Sequence, residues 1–167
     1  MSIFWAEGPI RPHASPRQDI WSCPHDGRTY FIRLAGDPVP VWLHWLEQAK
    51  RTTPCTGLDC AHCPQVRQQW KGYAPAVVAF FEDGKTVWKP AIVELTENAR
   101  DELLSDEFRP IVAWRGTIVA LKRVAGVVHA QVEDREVKGD LPPAWDIKPT
   151  LVRMWQIRPG SKRPHSG

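Results

Sequence analysis

Three cysteines within nine residues constrain this chain more than any other feature. They lie in the segment Cys55-Thr-Gly-Leu-Asp-Cys60-Ala-His-Cys63. In a chain that opens without a secretory signal pattern, such close spacing favours a metal site over a disulfide framework. A Cys-x-x-Cys pair places two sulfur atoms on one side of a tight turn, at the spacing that tetrahedral Zn²⁺ requires. The sequence therefore predicts a zinc site with three cysteine ligands.

The fourth ligand is predicted to be a histidine. His44 lies upstream of the cysteines, at the end of a predicted strand, and is the first candidate. His62 is the main rival, although it lies inside the Cys-x-x-Cys turn, where its ring would point away from a metal held by its neighbours. Cys23 and His25 stay open as further alternatives. Four protein ligands leave no coordination position for water, so the predicted role of the metal is structural.

Other chemistries of clustered thiols fit the sequence less well. A nucleobase deaminase needs His-x-Glu and Pro-Cys-x-x-Cys, whereas His44 is followed by Glu47 and the Cys-x-x-Cys pair is preceded by Asp59. A dithiol oxidoreductase would place Cys60 at the start of a helix in a βαβ unit, which the pattern does not provide. An iron–sulfur cluster could use the same thiols and stays open. Because no carboxylate pair, Ser/His/Asp set or open metal site is recognisable, we expect a binding protein and not an enzyme.

The hydrophobic pattern predicts a mostly β fold. The first strand is predicted over residues 30–34 and resumes over 41–46 after the Pro38/Pro40 interruption. Four more strands are predicted over 77–81, 86–95, 111–124 and 127–132, and a last short element of undetermined type over 151–157. Thr96 can cap a helix that ends before Pro110. Residues 47–73 are predicted to be a long loop that something else must order. This order predicts an OB-like five-stranded barrel, with one helix between strands three and four and a zinc-ordered insert after strand one. A different small barrel or an open antiparallel sheet would produce a similar pattern.

The chain of 167 residues is long enough for one domain and a short arm or tail. We expect residues 1–19 to be an N-terminal arm, residues 20–157 to be the OB-like domain with its zinc insert at 44–73, and residues 158–167 to be a basic C-terminal tail. The apolar runs are too short to span a bilayer, and no targeting pattern opens the chain. The expected location is the cytoplasm, without membrane association.

Charge is distributed unevenly along the chain. The formal net charge is +3. Residues 94–107 hold six acids and one base, whereas residues 109–132 hold four bases and no acid. Such separation favours an oriented encounter with a polyanion, although two solvated faces of opposite sign would produce the same pattern.

The nine tryptophans include several that alternate with basic residues. Proteins that bind single strands stack bases on aromatic rings, worth about 1–3 kcal/mol each, while Lys and Arg follow the phosphates. We expect Trp5, Trp21, Trp145 and Trp155 to be core residues and Trp45 to support the metal ligand beside it. The residues predicted to contact nucleic acid are Trp42, Lys50, Arg51, Trp70, Lys71, Tyr73, Trp88, Lys89, Trp114, Arg115, Lys122 and Arg123.

The order of the ligands, a histidine followed by a cysteine and then Cys-x-x-Cys, resembles the zinc-containing single-stranded-DNA-binding proteins of T-even and related phages, the helix-destabilising type. It is also similar to small zinc proteins of bacterial mobile elements, in which a His-Trp pair precedes the cysteines and a Trp/Tyr-Gly-Tyr-like segment follows. Here these are His44-Trp45 and Trp70-Lys-Gly-Tyr73. The resemblance covers about residues 41–132. It implies a metal-ordered insert and an adjoining groove for single-stranded DNA.

Two features depart from the phage proteins. The gaps between the ligands are shorter, and a basic segment at 158–167 stands where many single-strand binders carry an acidic tail. The sequence nevertheless predicts a single-stranded nucleic-acid-binding protein without strong sequence preference, with DNA as the expected ligand, RNA as its alternative, and protein partners of phage or mobile-element replication or recombination. The alternative function is a zinc-ordered protein–protein adaptor that uses Trp42, Trp70 and Trp88 as interface anchors.

Overall fold

The computed structural model describes residues 20–137 and 139–157. The predicted N-terminal arm and basic tail lie outside the described residues. Within the described part, no helix is long and apolar enough to cross a membrane. The strands are β1 (Ile20–Trp21), β2 (Thr29–Leu34), β3 (Val39–Leu46), β4 (Arg51–Pro54), β5 (Gln68–Glu82), β6 (Lys85–Thr96), β7 (Ile118–Val124) and β8 (Val127–Glu133), and the helices are α1 (Glu97–Ser105) and α2 (Lys148–Ile157).

The mostly β prediction is confirmed, and two element predictions need correction. Residues 51–54 and 68–73, predicted to be loop, are strand, because they pair with β3 and lengthen β5 to 15 residues. The strand predicted over 111–124 begins only at Ile118, because Gly116 takes a positive φ of 89° in the turn before it. The undetermined last element is a helix.

All eight strands belong to one mixed sheet, in the order β1-β6-β5-β2-β7-β8, with β3 pairing β5 and β4. The β1–β6 pair is parallel and the other pairs are antiparallel. β2 and β3 follow one another along the same edge of β5, since Leu34 lies opposite Ala76 and Val39 opposite Tyr73. They therefore run along β5 as two halves of one bent strand.

The predicted five-stranded barrel is not found as a closed barrel in the described residues. The sheet is open, and it has more strands than predicted because the insert that carries the three clustered cysteines contributes β4 and because β1 joins β6. No ladder joins β6 to β8 in the part of the chain that is described. Helix α1 packs against β5, β6 and β8 instead, so the helix lies across this opening.

Helix α1 is the predicted helix between the third and fourth long strands. Thr96 caps it as expected, since its side-chain oxygen accepts a hydrogen bond of 3.2 Å from the Ala99 N–H. The Glu102 carboxylate accepts from the Ala130 N–H at 3.3 Å and lies 2.7 Å from His129 Nδ1, which ties the helix to β8. Its apolar side buries Ala99 and Leu103 in the main core with side chains of β2, β5, β6, β7 and β8.

A second core covers the opposite face of the sheet. There the side chains of Leu151, Val152 and Trp155 in α2 pack against residues of β3, β5 and β6, among them Tyr73 and Ile92. The sheet centre is thus buried on both faces. Of the four tryptophans expected in the core, Trp155 is buried, Trp21 and Trp145 are half-buried against these clusters, and Trp5 lies outside the described residues.

Candidate metal centre

The insert that carries the cysteines begins with a hairpin. β3 pairs with β4 on one side and with β5 on the other, so that His44 lies between Thr53 and Gln68. Cys55 follows β4 directly, and its backbone N–H donates to the Trp42 carbonyl oxygen at 2.9 Å. Pairing on both sides of β3 therefore positions His44, Cys55 and Gln68 on adjoining strands.

The loop after β4 turns back on the hairpin. Gly57 adopts a positive φ of 95°, which favours glycine, and its carbonyl accepts from the Cys60 N–H at 3.1 Å. The His62 carbonyl accepts from the Gln65 N–H at 3.0 Å and from the Val66 N–H at 2.8 Å. These two turns bring the last two cysteines of the cluster back over Cys55.

The four predicted metal ligands come together in the structure. His44, Cys55, Cys60 and Cys63 each offer one donor atom, and these atoms all lie within 4.8 Å of one another. His44 Nε2 lies 3.4 Å from Cys60 Sγ and 3.6 Å from Cys63 Sγ, and the sulfur atoms of Cys55 and Cys63 lie 3.5 Å apart. One imidazole and three thiols in this arrangement are a candidate metal site.

The rival ligands lie outside this group. The His62 ring is half-buried with its centroid 6.0 Å from that of His44. Cys23 is buried in the main core, where its carbonyl oxygen accepts from Arg123 Nε at 2.9 Å. His25 is exposed in the turn before β2. The geometry therefore selects His44 from the alternatives that the sequence leaves open.

The thiols of the cluster have unlike proton affinities. Burial by itself opposes ionisation of Cys60, but backbone hydrogen bonds from Thr56, His62 and Cys63 outweigh it and lower its pKa to about 5. The pKa of Cys63 is raised to about 11, first by its hydrogen bond with Cys55 and then by burial and the neighbouring sulfur atoms. Three thiolates this close repel one another, and a bound cation would remove that conflict.

Gln68 and Gly57 surround the sulfur atoms with N–H groups. The Gln68 side-chain amide donates to Cys55 Sγ at 3.0 Å and lies 3.6 Å from Cys63 Sγ, and the Gly57 N–H lies 3.5 Å from Cys55 Sγ. Donors of this kind orient thiolate ligands and reduce their charge. We did not predict Gln68 from the sequence, because an isolated glutamine in a segment without alternation carries no recognisable motif.

His44 itself favours a metal. Its side chain is fully buried, with Nε2 facing two sulfur atoms, and its Nδ1 has no hydrogen-bond partner in the described part of the chain. A buried imidazole needs a strong partner to offset its desolvation. Coordination through Nε2 would supply one, so the residues present fit a bound metal ion.

The predicted stacking residues near the insert lie mostly in the interior. Trp70 is 9% exposed and packs across Gly72, where an added Cβ would lie 2.5 Å from the ring. The Arg100 guanidinium, which sequence reasoning missed, lies 4.4 Å from the centroid of the same ring. Tyr73 is buried in the second core. Trp42, Trp88 and Trp114 are half-buried, and Trp45, expected to support the ligand, is exposed with its indole N–H bonded to Glu47.

Most of the predicted phosphate-binding residues have partners within the protein. Lys71 Nζ lies 3.0 Å from Glu94 Oε1. Arg115 donates to the carbonyl oxygens of Ala35 at 2.6 Å and Pro142 at 2.8 Å. Ion pairs join Lys50 to Glu47 and Lys89 to Glu82. Arg123 donates to the carbonyl oxygens of Cys23 and Gly126. Arg51 is half-buried with an unpartnered Nε among the described residues, and Lys122 is exposed. Their contacts with nucleic acid stay predictions.

A groove of about 350 Å³ lies between the end of the insert and the β7–β8 hairpin. Two predicted contact residues, Trp70 and Lys71, line it. A second cleft, of about 240 Å³, continues from Lys71 toward α2. The other groove residues, which sequence reasoning missed because they carry no motif, are Arg67, Gln69, Thr96, Glu97, Asn98, Gly126, Val127 and Val128.

Comparison of this chain with protein-family models, with curated proteins and with solved structures finds no match.

Proposed function

We propose that this protein binds single-stranded nucleic acid in the groove between its metal-bearing insert and the β7–β8 hairpin, and that a structural zinc ion orders the insert. Four observations support the proposal: the ligand geometry, the strand order, the position of the groove and the charge around the groove.

The ligand geometry suits a tetrahedral metal ion such as zinc. With Zn–S bonds of about 2.3 Å and Zn–N bonds of about 2.0–2.1 Å, a tetrahedral site needs sulfur atoms about 3.8 Å apart and sulfur–nitrogen separations of about 3.5 Å. The separation between Cys55 and Cys63 is 3.5 Å, and those from His44 Nε2 are 3.4 and 3.6 Å. Bound zinc would join the β3–β4 hairpin to the loop that follows it. Because four protein ligands fill the site, we expect a structural role.

The strand order supports an OB-like architecture. Five neighbouring strands run β6-β5-β2-β7-β8, with α1 between β6 and β7 in sequence and packed across the gap between β6 and β8. OB-folds are five-stranded barrels that are partly open. The strands outside these five and helix α2 then lie outside the five-stranded OB-like part of the sheet.

The position of the groove carries the proposal. In OB-folds, oligonucleotides bind on the second and third strands between the loop after strand one and the loop joining strands four and five. Here those loops correspond to the metal-bearing insert and the β7–β8 hairpin, and the groove lies between Arg67 of the one and Gly126 of the other. Gln68, whose side-chain amide donates to Cys55 Sγ, directly precedes the groove residue Gln69. The candidate metal site therefore adjoins the groove.

The groove has suitable chemistry for a nucleic-acid backbone. Arg67 supplies positive charge from one wall of the groove. Lys71 lines the same wall and would contribute when it exchanges its ion pair with Glu94 for a phosphate. Phosphate contacts of this kind are independent of base sequence. Trp70 lines the groove with a small exposed fraction, so we expect it to contact a base through its edge.

A fluorescence titration with matched variants tests this proposal. Binding of an oligonucleotide should quench tryptophan emission, and affinity should fall as salt rises, by about 0.7 log units per log unit of salt for each phosphate neutralised. The double variant Arg67→Ala/Lys71→Ala should bind more weakly and have a lower salt slope. Lys85→Ala, at the exposed first residue of β6 and far along the strands from the insert, is the control. An unchanged signal at micromolar oligonucleotide and low salt would refute nucleic-acid binding.

A second candidate, the protein–protein adaptor, is favoured by one surface. Leu104, Phe108 and Val112 are exposed, Phe108 to 96%, in and after helix α1. Exposed apolar side chains in one segment are typical of contact surfaces. If oligonucleotides fail to bind, replacement of Phe108 by Ser should raise the solubility of the zinc-loaded protein, which would favour this candidate.

A further inference from the structure

Cys63 differs from the other two cysteines of the cluster in exposure. Cys55 is 0% exposed and Cys60 is 6% exposed, whereas Cys63 is an exposed residue. Of the three cysteines, Cys63 is therefore the one at which the cluster meets solvent in the folded protein. Access is one of the two properties that decide which cysteine reacts with an oxidant; the other is thiolate character.

Cys63 also has weaker hydrogen-bond support than its neighbours. Cys55 Sγ accepts from Gln68 at 3.0 Å, and Cys60 Sγ accepts backbone hydrogen bonds from the turn that holds it. The same Gln68 amide lies 3.6 Å from Cys63 Sγ, a longer contact. Hydrogen bonds withdraw negative charge from a thiolate ligand. When metal holds all three cysteines as thiolates, Cys63 thus retains the most nucleophilic sulfur.

The nearest sulfur to Cys63 has the position needed for a second step. Cys55 Sγ lies 3.5 Å away, and a disulfide bond needs about 2.05 Å. Cys55 is held at the end of β4 by its backbone hydrogen bond to Trp42, whereas Cys63 lies in the loop. A shift of the loop would therefore bring the two sulfur atoms together.

We propose that Cys63 is the site at which hydroperoxides oxidise the metal cluster, and that a Cys55–Cys63 disulfide forms with loss of the metal. The inference rests on the proposed zinc site. Its consequence is a redox control of the groove, because the loop that the metal orders ends at the groove residue Arg67.

The chemistry proceeds in two steps. The Cys63 thiolate attacks one oxygen of hydrogen peroxide, the O–O bond breaks, and Cys63 sulfenic acid and hydroxide form. The Cys55 thiolate then attacks the sulfenic sulfur, a disulfide bond forms, and a second hydroxide leaves. Two electrons pass from the two sulfur atoms to the peroxide, and protons from solvent convert the hydroxides to water. Removal of two ligands leaves His44 and Cys60, which are too few to retain the metal.

Peptide mapping of the full chain tests the inference. Zinc content is measured first by elemental analysis, and the zinc-loaded protein is then treated with one equivalent of hydrogen peroxide while a chromogenic chelator records released metal. We expect metal release to accompany a Cys55–Cys63 disulfide, with Cys60 and the buried Cys23 still reduced. Dithiothreitol and zinc should restore the starting state. A Cys55–Cys60 disulfide, or release of metal before any change at Cys63, would overturn the inference.

Two variants sharpen this experiment. Cys23→Ser removes a cysteine that is buried outside the cluster, so its metal should be released at the rate of the parent protein. Cys63→His replaces the exposed thiol by an imidazole, which also binds zinc. Peroxide should release metal from this variant about tenfold more slowly than from the parent protein, after the metal content of both has been measured. Equal rates in Cys63→His and the parent would contradict the inference. If elemental analysis finds no metal before peroxide is added, both the proposed zinc site and the redox inference are refuted. If zinc is present but the Cys55–Cys63 disulfide does not form, only the redox inference is refuted.

Discussion

The loop at residues 55–67 and the sheet beneath it differ in how much apolar surface they bury. In the loop, Leu58 is 106% exposed and Val66 is half-buried, whereas the sheet buries side chains such as Leu34 and Leu121 completely. Burial of apolar surface stabilises the sheet at roughly 25 cal/mol per Å². The loop lacks this contribution, so we expect its order to come from its turns and from the proposed metal ligation. Two parts of one chain are thus stabilised by different forces.

Metal removal should separate the two regions most clearly. Structural zinc contributes on the order of 10–16 kcal/mol of apparent binding free energy, so chelation, or Cys60→Ser, should abolish the order of residues 55–67. Hydrogen–deuterium exchange should show loss of protection in this loop and retention of protection in β2 and β7. Equal loss of protection in both regions would mean that the metal holds the whole sheet together.

A substitution in the main core should destabilise the sheet and leave the metal content unchanged, which is the reverse of the effect of metal removal. Leu121→Ala should lower the free energy of unfolding by about 2–5 kcal/mol, because it removes buried methyl groups and leaves a cavity, while metal content stays at the parent level. Leu58→Ala is the matched control in the loop, and it should leave the midpoint of urea unfolding unchanged because Leu58 is already exposed. A large effect of Leu58→Ala would show that the loop has an apolar core of its own.

A smaller effect is expected at the start of α1. Thr96→Ala removes the oxygen that accepts from the Ala99 N–H and should cost about 1 kcal/mol of stability. Thr96→Ser keeps this oxygen and should cost less. Both changes can be measured from urea unfolding followed by circular dichroism. The metal content should again be unaffected, since α1 packs in the main core and not on the cluster.

The smallest effect should depend on pH. The pKa of Asp26 is lowered below its ordinary 3.8, first by the hydrogen bond from Tyr30 and then by the Arg28 N–H. A lowered pKa in the folded state stabilises the fold above the ordinary pKa, and the contribution is lost as pH falls through the folded value. Tyr30→Phe should therefore reduce the thermal midpoint slightly at neutral pH, and the difference between the two proteins should vanish in strong acid.

Local ligand chemistry made the three cysteines of the candidate metal site predictable. The spacing of the three cysteines limits which turns can hold them, and any fold that binds a metal there must satisfy the same spacing. The choice of His44 over His62 needed only the argument that a residue inside a Cys-x-x-Cys turn points away from its neighbours' metal. Gln68 escaped prediction because its role depends on β3–β5 register, which brings it opposite His44.

The predicted contact residues show where sequence reasoning fails. Alternation along β5 places Trp70 and Tyr73 on opposite faces of the strand, but it does not say what covers each face. Tyr73 is buried because α2, more than seventy residues later in the chain, packs on that face. Arg115 bonds the backbone of Leu141 and Pro142 for a similar reason. A basic or aromatic residue has the same signature in the sequence whether it faces a ligand or another segment of its own chain.

The amino-acid sequence alone determined the clustering of the three cysteines, the mostly β composition and the cap of α1, since each depends on interactions within a few residues or on strand propensity. Only the tertiary structure decided that His44 joins the cysteines, that the sheet is open, that α2 covers its second face and that the groove lies beside the candidate metal site. Those features depend on contacts between distant segments, and such contacts are set by the packing of complete side-chain surfaces, which local periodicity does not encode.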